Sequence, residues 1–137
     1  MDTVAMENLF RIVSAAELTT AARSGLVPRC PSDERSNCVH LNRKEDVETV
    51  ANLYFTPEEA PVALEIRSAD IAEDLTFLPA TEGKPFQQAN LARQYVSFSS
   101  VVAVHPLHVV QLNGAPVLKF GAAPNNSFKP KPLRGSA

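Results

Sequence analysis

Apolar and polar positions along this chain recur first with a period of two and then with a helical period, and each switch marks an element. Asn8-Leu-Phe-Arg-Ile-Val13 reads as a strand, with Phe10 and Ile12 on one face and Leu9, Arg11 and Val13 on the other. Ser14-Ala-Ala-Glu17 follows with capping-box spacing, in which the hydroxyl and the carboxylate take up orphan backbone donors. Leu18, Ala21 and Ala22 continue at helical spacing. Gly25 suits the left-handed position beyond the last turn, and Pro28 blocks resumption. A helix of two or three turns is therefore expected after the first strand.

Residues 29–37 are polar and turn-like, and 38–41 read as a second strand with Val39 and Leu41 on one face and Cys38 and His40 on the other. Asn42 and Glu45 repeat the cap spacing. Val47, Val50, Ala51 and Tyr54 then fall at i, i+3, i+4 and i+7, a buried helical stripe that places Tyr54-Phe55 in the core. Val62, Leu64 and Ile66 predict a half-buried strand over 61–66, and a weaker strand is expected at 75–78. Residues 79–98 are the least regular part of the body. Residues 101–104, apolar on both sides, read as a central strand. The clearest hairpin joins 109–112 to 117–120 through Asn113-Gly114, which accepts the positive dihedrals of a type I′ turn. Pro116 cannot donate to a ladder, so the second arm is expected at an edge. Strands and helices alternate early and strands dominate later, an α+β pattern.

The 137 residues suit one domain over 7–120, followed by a flexible basic tail over 121–137 without periodicity. Charge sharpens that division. The tail carries Lys129, Lys131 and Arg134 and no acid. Thirteen basic residues less these three leave ten against fifteen acids in the body. That sign argues against a nucleic-acid-binding domain, which neutralises phosphates with excess cations. No apolar run is long enough to span a membrane. The N-terminus has no basic-then-apolar export pattern, Met6 is an alternative start, and the cytoplasm is the expected address. Cys30 and Cys38 show no CxxC spacing and are expected as free thiols. Cys30, Cys38, His40, His105 and His108 offer no closed zinc spacing, so no metal is expected. Five glycines without a Gly-rich loop do not support Rossmann or P-loop binding.

A resemblance adds to this reading. Leu9-Phe-Arg-Ile-Val-Ser-Ala-Ala-Glu-Leu18, Val39-His-Leu-Asn42, Val50-Ala-Asn-Leu-Tyr-Phe55, Pro61-Val-Ala-Leu-Glu-Ile66 and Val101-Val-Ala-Val-His-Pro-Leu107 together resemble the bacterial DUF952 family of uncharacterised proteins, over roughly residues 8–107. The family is related by fold to ADP-ribosyltransferases and RNA 2′-phosphotransferases. The resemblance therefore implies a split, bent sheet of about six strands with two main helices. In that pattern Arg11 takes a basic position on the first strand, His40 matches the family histidine, and Asn42 replaces a usual Ser or Thr. A second family histidine corresponds to Gln88, and Arg93 or Tyr95 would take a nearby Tyr position after a short insertion. The tail's Asn-Asn-Ser-Phe-Lys-Pro-Lys-Pro-Leu-Arg resembles read-through of integron gene-cassette recombination sites, which would make this an accessory protein of a mobile cassette.

The chemistry expected from this is recognition of a nucleotide or another phosphorylated small molecule. Arg11 would bind a phosphate or ribose oxygen through its fork of donors, and His40 would hydrogen-bond a hydroxyl or move a proton. Asn42, Gln88, Arg93 and Tyr95 would add ligand contacts, with Ser99 a further polar candidate. His40 and Glu65 are the candidate catalytic pair for an ADP-ribosyl or phosphate transfer, with NAD the cofactor that the resemblance admits. A transferase of this fold would usually place its acid on 101–104, and none stands there. The competing reading is a non-catalytic binding or interaction module, a homodimer in its oligomeric form, in which His40 is a structural residue bonded to backbone and Arg11 pairs with an acid.

Overall fold

In the structure, a computed structural model describing residues 7–121, the main sheet grows outward from β1 (Leu9–Val13), all five residues of which are buried. On one side β1 pairs along its whole length with β4 (Val62–Ile66), which in turn pairs with β8 (Val101–Pro106). On the other lie β3 (Val39–Asn42), β6 (Gln88–Leu91) and β5 (Leu75–Leu78). Every neighbouring pair is antiparallel, giving six strands in the order β5-β6-β3-β1-β4-β8. The fold is α+β, as the pattern predicts.

Alternation along β1 sorts the core into two layers. Leu9 and Val13 join Val39, Leu41, Leu64, Ile66 and Leu91 on one face, where Leu18 of α1 (Ala15–Ser24) packs on them. Phe10 and Ile12 join Val47, Val50 and Ala51 of α3 (Val47–Tyr54) on the other, with Leu118 of a C-terminal hairpin. That hairpin is β9 (His108–Leu112) and β10 (Ala115–Lys119), turned by Asn113 at φ 54° and Gly114 at φ 81°. Both positive dihedrals are those the Asn-Gly pair predicts. The α1 ends also follow the pattern: Ser14 Oγ accepts from the Glu17 amide at 3.1 Å, Glu17 Oε1 accepts from the Ser14 amide at 2.9 Å, and Gly25 closes the helix at φ 83°.

Four expectations are corrected. Residues 29–37 are not merely a turn but contain α2 (Pro31–Ser36), which begins with proline and stops at Asn37 in the left-handed region. Asn42 does not cap a helix. It ends β3, and α3 is entered through a 3₁₀ turn at Lys44–Asp46 without a side-chain cap. Tyr54 is not core: as the last residue of α3 it lies beyond the packed turns and is 57% exposed. β8 is an edge and not a central strand, and its alternate residues Val102 and Val104 are exposed. Within the irregular stretch 79–98 the chain forms β6 and β7 (Val96–Ser97), the latter pairing with β2 (Leu26–Val27). Beyond Gly121 the expected basic tail lies outside the described residues, as do Met6 and the residues before it.

Candidate functional site

β1 and β3 share a single pair, Phe10 with Asn42, before they diverge. Divergence leaves the backbone of His40 without a strand partner on its β1 side, and two side chains take the strand's place. Arg11 Nη1 donates to the His40 carbonyl at 2.8 Å, and the His40 amide donates to Asp33 Oδ1 at 3.1 Å. Arg11 sits between Leu9 and Val13 on an apolar face and is only 7% exposed, so its charge needs a partner there. Asp33 of α2 supplies it: Arg11 Nη2 donates to Oδ2 at 2.7 Å, and a second contact from Nη1 to Oδ1 measures 3.4 Å. The ion pair thus bridges the split in the sheet.

Asp33 is wholly buried and accepts from three residues. Besides Arg11 and the His40 amide it takes the Cys30 amide at 3.2 Å and His40 Nδ1 at 2.9 Å. Burial pushes the Asp33 carboxyl upward, but the His40 hydrogen bond and the Arg11 charge and hydrogen bond outweigh it and hold the group well below the usual carboxylate range. An ionised Asp33 is acceptor-only, so it fixes the proton of neutral His40 on Nδ1 and leaves Nε2 as an acceptor. Cys38 Sγ lies 3.9 Å from that Nε2. Burial, followed by the Asp33 charge, raises the Cys38 thiol, which keeps it protonated and a weak nucleophile.

A cavity of about 450 Å³ opens where the strands part, between α2 and α3. Arg11, His40, Asn42 and Gln88 all line it, the last two being register partners across β3 and β6. Its aromatic wall is Tyr54 and Phe86, whose rings meet edge to face at 6.4 Å and 89°. Arg35 of α2 and Lys84 of the turn before Phe86 add cationic groups, and Glu17 is the carboxylate among the lining residues. The volume falls within the range of small-molecule sites.

The remaining candidates lie elsewhere. Glu65 does not converge with Arg11 and His40. It is the register partner of Phe10, on the opposite face from Arg11, where Oε1 pairs with His105 Nε2 at 2.8 Å and Oε2 accepts from Asn8 at 2.8 Å. It lines a separate cavity of about 300 Å³ with Phe10 and Phe120. Arg93 is held by Asp74 at 2.6 Å and by the Asp70 carbonyl at 3.2 Å, so neither it nor the exposed Tyr95 lines the larger cavity; nor does Ser99, which bonds to Ser97. Arg11 reaches the cavity wall with both terminal nitrogens already committed, which removes it as a free anion ligand. Cys30 and Cys38 are free thiols, and among the described residues no group of three or more His, Cys, Asp or Glu side chains could hold a metal.

Asp33, Arg35, Lys84 and the exposed ring of Tyr54 are the site residues that the pattern alone does not single out. Asp33 had a readable signal: Cys30-Pro31-Ser32-Asp33 puts proline at the first helical position and an acid at the third, a helix start in miniature. No such local signal marks Arg35 or Lys84, which come to line one cavity only through the fold.

No family model matches the chain, and no curated protein matches it. Protein CC0527 from Caulobacter crescentus is similar in structure. Its crystal structure is 24% identical with a TM-score of 0.64, covering 80% of this chain and 92% of that one. Its solution NMR structure, also 24% identical, has a TM-score of 0.61 and covers 77% and 88%. At this identity the likeness is one of fold.

Proposed function

We propose that this protein binds a nucleotide or a related phosphorylated small molecule in the cavity at the β1–β3 split, and that it does so without transfer chemistry. The observation that carries this reading is the held imidazole: His40 lines a cavity of about 450 Å³ with its tautomer set by a buried carboxylate. Its Nε2 is an acceptor for a ribose hydroxyl, and Asn42 and Gln88 stand beside it as amide donors and acceptors. Tyr54 and Phe86 offer a ring surface, and Arg35 and Lys84 offer charge for a phosphate. NAD carries the same groups and suits these residues in kind.

Transfer needs a carboxylate free to stabilise positive charge as a glycosidic bond opens. Glu65 lines the other cavity, Asp33 is saturated, and Glu17 is bonded to the Ser14 amide. Binding alone is therefore the better supported reading, and the relation of the DUF952 fold to ADP-ribosyltransferases bears on ligand class more than on catalysis. Thermal-shift titration with NAD and with mononucleotides tests it, repeated on His40→Ala. Stabilisation of the wild type that falls away in the variant is expected; no shift with any of these ligands would sink the proposal. Release of nicotinamide from NAD by the wild type would restore the transferase reading.

A further inference from the structure

We infer that Arg35 and Lys84 form the phosphate subsite of this cavity, and that the ligand it selects is a ring-bearing phosphate monoester of the nucleoside 5′-monophosphate kind; this rests on the binding reading above and deepens it. Charge accounting within the cavity wall singles these two out. Arg11 spends both terminal nitrogens on Asp33, His40 and the Pro28 carbonyl. Asp33 is in turn neutralised by Arg11, and the Glu17 carboxylate is engaged by the Ser14 amide. Arg35 and Lys84 line the same cavity with no ion pair or side-chain hydrogen bond to any described residue. With Arg11 and Asp33 cancelling, Arg35 and Lys84 outweigh the single charge of Glu17, so the wall is locally positive in a chain whose net charge is −2, and a concave low-dielectric surface concentrates such a field.

The anion and ring subsites also share their supports. Lys84 belongs to a turn closed by reciprocal backbone bonds with Thr81, at 2.9 and 3.2 Å, and the Phe86 amide donates to the Lys84 carbonyl at 2.7 Å. One short stretch thus delivers a free ammonium and an aromatic wall side by side. Arg35 sits on α2, which Asp33 anchors to the sheet, so its position is set while its guanidinium stays uncommitted. A planar fork and a point charge together suit a dianionic terminal phosphate, while the half-open ring of Tyr54 against Phe86 suits a heteroaromatic base.

Calorimetric titration of the full chain with the four ribonucleoside 5′-monophosphates and with the matching nucleosides tests this, on the wild type, Arg35→Gln and Lys84→Gln. Both side chains are exposed and unpaired, so the variants are expected to fold normally. Each substitution should weaken the monophosphate about tenfold or more and leave the nucleoside within about twofold. The monophosphate's affinity should also fall more steeply with salt in the wild type than in either variant. Unchanged monophosphate affinity in both variants, or equal losses for nucleoside and monophosphate, overturns the subsite. A wild type that binds nucleosides as tightly as monophosphates overturns the subsite but leaves the binding site standing. Binding of neither overturns the subsite, and if NAD also gives no shift the binding reading falls with it.

Discussion

Arg11 and Asp33 form more than a buried ion pair, because they also complete the hydrogen bonding of His40. A buried pair of this kind is ordinarily close to neutral against an apolar replacement of both partners, while removal of one partner alone costs about 3–5 kcal/mol. Asp33→Asn should therefore destabilise by about that amount, since a buried guanidinium loses its counter-charge. The double variant Arg11→Met/Asp33→Leu separates the two roles. If the pair were only an ion pair, chemical denaturation should place the double variant near the wild type. Because it stands in for a missing strand, the His40 amide and carbonyl would be orphaned, and we expect the double variant to remain roughly 2 kcal/mol or more below the wild type. Recovery to wild-type stability would remove the bridging role.

Single side chains also join elements. Asn52 on α3 donates to the Leu118 carbonyl at 2.9 Å and accepts from the Leu118 amide at 2.8 Å, pairing with β10 as another strand would. Leu118 is 2% exposed, so truncation strands two buried backbone groups. Asn52→Ala should cost about 1–3 kcal/mol, with faster amide exchange concentrated in β9 and β10 as the reporter. Ser14→Ala, which removes one half of the α1 capping box, should cost about 1 kcal/mol by the same denaturation measurement. These elements differ in how far the amino-acid pattern foretells them. Local signals sufficed for the α1 caps, the Asn113-Gly114 turn and the alternation of β1, because each is decided by residues a few positions apart. The role of Arg11 was legible only as a choice between an anion ligand and an ion pair, and a partner 22 positions away on a six-residue helix decided it. Glu65 and His40 both stand on strands with good spacing, yet the faces to which they point follow from sheet order, which periodicity does not encode. β8 looked central because its residues are apolar, although apolar composition cannot tell a covered strand from an edge.

Across the whole molecule, three carboxylates that join separate elements, Asp33, Glu65 and Glu48, are favoured in their ionised forms by the folded state. In Asp33 the His40 and Arg11 interactions overcome the upward push of burial. In Glu65 the Asn8 and His105 hydrogen bonds lower the group against a smaller burial effect. In Glu48 burial raises the group, but the Phe120 amide and Lys119 more than offset it, so a contact from α3 to the end of the hairpin also depends on charge. All three carboxyls are therefore held down in the folded chain, and as pH falls the unfolded chain takes up protons first. Their contribution is fully present above the ordinary carboxylate range and is lost progressively from about pH 5 downward. Urea denaturation at a series of pH values should thus show stability holding level above about pH 5 and falling from there toward pH 3. Asp33→Asn lacks the largest of these dependences and should give a visibly shallower slope over the same interval, on top of its lower plateau. An equal slope in wild type and variant would mean that Asp33 titrates alike in both states, and the account of a buried carboxylate held ionised by its partners would fail with it.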